Sequence, residues 1–173
     1  MPSFYTYLIS SLPVLRFNQK PPFSLDNFLE KCTGLIPDDD LEVLRKIPSS
    51  ESSGIGLKAI KGWIDFDTTL RNELVKIRSS RKKINPQMYL RPDGFAWPYI
   101  YHIALAAHRH PSPLEAERML DEARWEHLEQ LSVGHYFDLD FLVIYAYKLL
   151  ILERWERIGS ADATLLEKVV SEN

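Results

Sequence analysis

The chain has 173 residues, of which 45% are hydrophobic and 26% are charged, and its formal net charge is −3 at pH 7. This length and apolar content predict one domain, residues 1–173, whose folding buries roughly 70% of the surface that the unfolded chain exposes. The small net charge gives no general attraction to nucleic acid or anionic lipid. A single cysteine cannot form an internal disulfide, so we expect a cytoplasmic protein.

Two amphipathic helices are predicted in the first 50 residues. The N-terminal stretch has no basic start and is interrupted by Pro13, so we expect no secretory signal there. After Ser24, which can cap a helix, apolar residues follow at the spacing of one helical face: Leu25, Phe28, Leu29 and Cys32. Pro37 and the three aspartates behind it predict a short helix through Leu41, Leu44 and Ile47.

The middle of the chain alternates loops with helices. Residues 48–56, PSSESSGIG, predict a flexible loop. Asp65 or Asp67 can then start a helix with Leu70, Leu74 and Ile77 on its inner face. Residues 85–98 contain three prolines and the turn sequence Pro92-Asp93-Gly94, which predict an irregular loop. Pro98 is expected to begin the next helix.

The clearest helix start in the sequence is Ser112-Pro113-Leu114-Glu115. The serine can cap the helix, the proline suits its first position, and the glutamate can complete a capping box. A last helix is predicted to begin at Ser160 or Asp162.

Residues 141–152 are apolar or aromatic at every position except Lys148. This run is shorter than the about 20 residues that cross a bilayer, and Glu153-Arg154 ends it. A helix that is apolar on nearly all sides is packed on several sides by other elements. We therefore expect an all-α fold, a compact bundle of six to eight helices around a buried helix near 138–158. Lys148 is expected to bury its stem and to hold its ammonium group against a carboxylate or carbonyls.

Few residues carry an obvious chemistry. The histidines His102, His108, His110 and His127 lack the spacing that places metal ligands on one helical face, and we expect them at helix ends rather than around a metal. Cys32 has no neighbouring histidine and is predicted to be a core residue. The basic run Arg78, Arg81, Lys82 and Lys83 could contact RNA or an acidic protein, but a solvated helix end is favoured because it lacks interleaved aromatics. No catalytic, cofactor-binding or metal-binding residue is predicted.

Three blocks of the sequence resemble a known family. They are Tyr5–Pro13, Leu120–Trp125, and Tyr136–Asp138 running into Tyr145–Trp155. These blocks are similar to an uncharacterised bacterial family, domain of unknown function 2764, whose members tend to be encoded beside V-type (archaeal-type) ATPase subunits. The last block also resembles a helix of the central-stalk socket protein of those rotary ATPases, although this chain is much shorter than a full socket protein. No catalytic residue follows from the resemblance.

The resemblance implies a non-catalytic protein that binds V-type ATPase subunits, binds no nucleic acid and reaches the membrane only through that complex. The predicted contact residues are Phe4, Tyr5, Lys148, Glu153, Arg154, Trp155 and Glu156, because interfaces favour aromatics and arginine. The alternative for these residues is that they only join the N-terminal segment to the central helix. The alternative function is a small enzyme or ligand-binding protein with a pocket near 91–110, where several polar and aromatic residues gather: Arg91, Asp93, Trp97, Tyr101, His102 and His108.

Overall fold

The computed structural model describes residues 5–49, 55–92 and 97–171, with side chains as far as Ala161. These residues form seven α-helices, a short 3-10 helix at Pro86–Met88 and no strand, which confirms the all-α prediction. The helices are α1 Tyr5–Ser11, α2 Leu25–Cys32, α3 Asp38–Lys46, α4 Lys58–Lys82, α5 Pro98–Arg109, α6 Pro113–Leu131 and α7 Leu139–Ser171. Across the described ranges, none of the helices has an apolar stretch that could cross a membrane.

Contacts divide the chain into two compact units. The first unit joins Met1–Gly54 to Gly134–Asn173, and the second is Ile55–Val133. The first unit is therefore made of two distant segments of the chain, while the second is continuous. The organisation of all 173 residues as one domain stays a prediction.

In the first unit, the apolar start of α7 is the most continuously buried part of the described chain. Every residue from Leu142 to Tyr147 is buried, as the sequence predicts for a central helix. Helices α2 and α3 pack against α7. The ring centroids of Phe28 and Tyr145 are 5.2 Å apart, and the Tyr145 hydroxyl donates to the carbonyl of Pro13 at 2.9 Å. Burial of this phenol raises the pKa of Tyr145.

Local signals explain where α2 and α7 begin. The Ser24 hydroxyl accepts a hydrogen bond from the Asn27 amide at 3.2 Å, as its capping role predicts. Asp138 does the same for α7, accepting from the Phe141 amide at 3.0 Å. Pro37 lies at the N-cap of α3, and the three aspartates follow in its first turn. The predicted starts of α2 and α3 are confirmed.

The second unit is built from α4, α5 and α6. Its core cluster takes Phe66, Leu70 and Leu74 from α4, and the rest from α5 and α6: Ile100, Ala104, Ala107, Leu120 and Ala123. The Ser112 hydroxyl accepts from the Glu115 amide at 3.3 Å and caps α6. The Ser112 amide donates to Nδ1 of His110 at 3.2 Å, so a histidine occupies the place that Glu115 would take in a capping box.

Two predicted helix starts are wrong. Helix α4 begins at Lys58, not at Asp65 or Asp67, because the first turn of the helix buries Ala59 and Ile60. Helix α7 continues through Ser160 and Asp162 to Ser171. The Ser160 hydroxyl donates to the carbonyl of Glu156 at 2.8 Å, a bond to its own helix rather than a cap.

The two predicted loops fall partly outside the described residues. Residues 50–54 of the 48–56 segment and residues 93–96 of the 85–98 segment lie there, including the turn residues Asp93 and Gly94. In the second segment, Pro86–Met88 forms the 3-10 helix, and Asn85 caps it by accepting from the Gln87 amide at 3.0 Å.

Two helical glycines have opposite surroundings, and this difference predicts opposite mutational effects. A Cβ at Gly159 of α7 meets nothing within 4 Å, whereas a Cβ at Gly62 of α4 lies 2.7 Å from Cδ2 of Leu131. Gly159→Ala should raise the free energy of unfolding by about 0.5–1 kcal/mol, because alanine loses less backbone entropy on folding. Gly62→Ala should lack this gain, because Leu131 must move. Urea denaturation of the two variants measures the difference, and an equal gain in both would contradict the close approach of α4 and α6.

Candidate functional site

The residues predicted to contact a partner lie on the first unit, apart from Phe4, which is outside the described residues. Tyr5 is partly buried, and its hydroxyl donates to a carboxylate oxygen of Asp40. Burial and this carboxylate raise the pKa of Tyr5. The phenol of Tyr5 thus joins α1 to α3.

The acidic residues at the end of the α7 apolar run make contacts within the same unit. Oε1 of Glu153 accepts from the Leu25 amide at 2.7 Å, and Oε1 of Glu156 lies 2.8 Å from Nζ of Lys20. Both carboxylates therefore hold the N-terminal segment against α7, which is the alternative role considered for them. Lys148, Arg154 and Trp155 are each partly exposed. The neighbours of Lys148, Tyr147 and Leu149, are both buried, so Lys148 is less buried than either of them. Their role in partner binding stays a prediction.

A pair of exposed aromatic residues lies immediately before α7. Tyr136 is 67% exposed and Phe137 is 52% exposed, and both belong to one of the blocks that carry the family resemblance. The sequence alone predicted no contact at these two residues. Large apolar side chains exposed side by side are more informative than a single one. They form the aromatic surface of the first unit.

The four histidines considered for metal binding have different environments. His102 is exposed, and His108 lies in the last turn of α5. His110 accepts from the Ser112 amide. Within the described part of the chain, the group of donor atoms that a metal could share is His135, Asp138 and Asp140, whose atoms lie within 4.8 Å of one another. There Nδ1 of His135 is 2.6 Å from Oδ2 of Asp138, and Asp138 also caps α7.

His127 is the histidine that the structure separates from the rest. It is 7% exposed, its Nε2 donates to the carbonyl of Gly62 at 3.1 Å, and its ring stacks on Phe66 with centroids 4.2 Å apart. Its Nδ1 is buried without a hydrogen-bond partner among the described residues. Burial lowers the pKa of His127, and the bond to Gly62 opposes this only in part. The sequence signal for its burial is the spacing of Ala123, His127 and Leu131, which are four residues apart and so lie on one face of α6.

An ion cluster lies between α4 and α6. Nε of Arg124 lies 2.9 Å from Oδ1 of Asp67, and Nη1 lies 2.8 Å from Oδ1 of Asp121. Asp121 is only 1% exposed. Burial lowers the pKa of Arg124, but the two carboxylates more than offset this and raise it. The sequence could predict the Asp121–Arg124 pair from its i, i+3 spacing on one helix. It could not predict that Asp67, on α4, pairs with Arg124 as well.

A cavity of about 260 Å³ opens next to His127 in the second unit. Its lining combines apolar and polar side chains: Phe66, Tyr99, Ile103, Ala123, Glu126, His127 and Gln130. Tyr99 and Ile103 belong to the 91–110 segment in which a pocket is predicted. Arg91, Trp97, Tyr101, His102 and His108 are not part of the lining, and Asp93 lies outside the described residues. Burial raises the pKa of Tyr99.

Two other predicted features are present as expected. Cys32 is fully buried, as predicted for a core residue, and burial raises the pKa of its thiol to about 12. Arg78, Arg81, Lys82 and Lys83 are all exposed at the C-terminal end of α4. A group of cations at this end suits the helix dipole.

These features define an all-α protein with an exposed aromatic surface, a small cavity and an exposed basic helix end. Residues 96–171, less than half of the chain, match the model of a family described as "Protein of unknown function (DUF2764)". The match covers α5 to α7 and supports a relationship to that uncharacterised family. No curated protein and no solved structure matches the chain.

Removing Arg124 should strongly destabilise the second unit. Arg124→Met removes the guanidinium that pairs with the buried carboxylate of Asp121, so the free energy of unfolding should fall by about 3 kcal/mol. Arg45→Met is the matched control, because Arg45 pairs with Glu42 on an exposed face of α3 and should cost no more than about 1 kcal/mol. Urea denaturation followed by circular dichroism compares them. Equal losses would contradict a structural role of the buried cluster.

His127 should make stability depend on pH. Its pKa in the folded protein lies below the ordinary value of 6.5, so below pH 6.5 the unfolded chain binds a proton that the folded protein resists. The free energy of unfolding should therefore fall as the pH drops from 6.5 towards the pKa of the folded protein. Raising the pH back above 6.5 should restore it. His127→Gln should remove this contribution, while His102→Gln, at an exposed position, should keep it. Urea midpoints above and below pH 6.5 test this, and an unchanged pH dependence in His127→Gln would contradict it.

Proposed function

We propose that this protein is a non-catalytic helical protein that binds part of a V-type (archaeal-type) ATPase, as an accessory, assembly or stalk component similar to the central-stalk socket protein. The support is that the family match at 96–171 includes Leu120–Trp125 and Tyr145–Trp155, on which the resemblance rests. Gene proximity to V-type ATPase subunits is what that resemblance implies.

The observation that carries the proposal is the aromatic surface, Tyr136 and Phe137. It lies inside the matched segment and exposes two adjacent rings. Aromatic residues are enriched in protein interfaces and often dominate their binding energy, because they bury a large area with few rotatable bonds. Arg154 and Trp155, partly exposed later in α7, are further predicted contacts. The carboxylates of Glu153 and Glu156 are already engaged within the unit, so they contribute less to this proposal.

Co-purification from the native cell tests the proposal. Tagged protein captured at low salt should retain V-type ATPase subunits, identified by mass spectrometry. The double variant Tyr136→Ser/Phe137→Ser should bind the retained subunit at least about tenfold more weakly, as loss of central aromatic contacts predicts. Val14→Ser is the control, because Val14 is an 84% exposed apolar residue of the same unit outside the matched segment. If the wild-type protein retains none of the ATPase subunits, the proposal is overturned.

The cavity beside His127 supports the second candidate function, a small enzyme or ligand-binding protein. It combines apolar walls with a buried histidine of lowered pKa, which is a common combination in ligand pockets. A small-molecule screen, monitored by NMR through the ring resonances of His127, tests this candidate. A compound that shifts those resonances in the wild-type protein and is turned over would favour it over the binding protein.

A further inference from the structure

The stretch from Leu74 to Pro92, at the end of α4 and in the following loop, has an unusual charge distribution. It contains six of the 21 Lys and Arg residues and no Asp or Glu: Lys76, Arg78, Arg81, Lys82, Lys83 and Arg91. All 24 acidic residues therefore lie outside this stretch, and they outnumber the 21 basic residues to give the chain its net charge of −3. The charge of the whole molecule thus conceals a strongly basic segment. We call residues 78–91 the basic tip.

The basic tip is exposed and its cations are available. Every residue from Ser80 to Tyr89 is exposed except Pro86, which is partly buried. Among the ion pairs formed within the described ranges, none includes Arg78, Arg81, Lys82 or Lys83. Cations without nearby carboxylates keep their full charge for an external anionic surface.

Large apolar side chains accompany these cations. Ile84 is 47% exposed, Met88 is 82% exposed and Tyr89 is 59% exposed. The loop is held to α4 by the side chain of Asn72. Its Nδ2 donates to the carbonyl of Arg91 at 2.7 Å, and its Oδ1 accepts from the Arg91 amide at 3.0 Å. The apolar side chains are thus presented by an anchored loop close in sequence to the cations.

The backbone at Lys83 adds an independent observation. Lys83 has φ +54°, in the left-handed region, and its amide and that of Ile84 bond the carbonyls of Ser80 and Ser79 at the end of α4. This is the Schellman position, at which glycine is favoured because a Cβ is strained there. Glycine would therefore be more stable at this helix end, and Lys83 adds a cation to the basic tip at a cost in stability.

We infer that the basic tip binds directly to the surface of a membrane that contains anionic lipid. Cations supply the attraction to the headgroups, and Ile84, Met88 and Tyr89 enter the interface beside them. A fluid lipid surface needs no shape complementarity, whereas a protein interface needs some 20–30 residues on each side. Single-stranded nucleic acid favours several stacking aromatics, and the tip has one. This direct contact departs from the expectation that the protein reaches the membrane only through a complex, and it does not rest on the proposed function.

Vesicle sedimentation of the full chain tests the inference. The protein should sediment with vesicles of phosphatidylcholine and phosphatidylserine, not with phosphatidylcholine alone, and added salt should release it. Lys82→Gln should weaken partitioning about fivefold, whereas Lys46→Gln, which also removes a cation from the last turn of a helix, should leave it unchanged. Met88→Ser should weaken partitioning without changing its salt dependence.

Lys83→Gly separates binding from folding. It should raise the urea midpoint, because it relieves the left-handed strain, and still weaken partitioning about fivefold. Unchanged partitioning in this more stable variant would overturn the inference, as would failure of the wild-type protein to bind the anionic vesicles. Tighter binding to poly(U) or to polyglutamate than to these vesicles would also overturn it, and would assign the tip to RNA or to an acidic protein.

Discussion

Burial of the apolar start of α7 is the constraint on which the first unit depends. Six consecutive residues from Leu142 to Tyr147 are buried, so other elements must cover every side of this helix. That cover comes from the other end of the chain: Tyr145 bonds Pro13, and Glu153 bonds Leu25. These contacts close loops of more than about 100 residues, and their entropy cost grows only slowly with length. The unit is discontinuous in sequence because its central helix and its cover are far apart.

The second unit depends more on polar groups. Arg124 is neutralised by carboxylates from two helices, and His127 joins α6 to the carbonyl of Gly62 on α4. Gly62 permits this approach because it has no Cβ to meet Leu131. Buried polar groups are costly unless their partners are in place, so these contacts favour one arrangement of α4 against α6. Of these polar residues, His127 lines the small cavity, so the shape of the cavity depends on the position in which Gly62 holds that ring.

The proposed contacts differ in their chemistry. The aromatic surface of the first unit offers burial of flat rings, which suits a protein partner. The basic tip of the second unit offers dispersed positive charge with a few apolar side chains, which suits an anionic interface. A small net charge does not predict the second kind of contact, because attraction at short range depends on local charge within a Debye length. The net charge of the chain therefore does not predict which anionic surfaces a local group of cations can bind.

Apolar periodicity and local hydrogen bonding were enough to predict the all-α class, the buried position of α7 and the caps at Ser24 and Ser112. The same signals placed the start of α4 wrongly, because burial of Ala59 and Ile60 outweighs the capping preference of Asp65. The pairing of Asp67 with Arg124 and the burial of His127 against Phe66 became known only from the packed helices. These pairs join residues more than about 50 positions apart, and no local pattern specifies which distant partner a side chain meets.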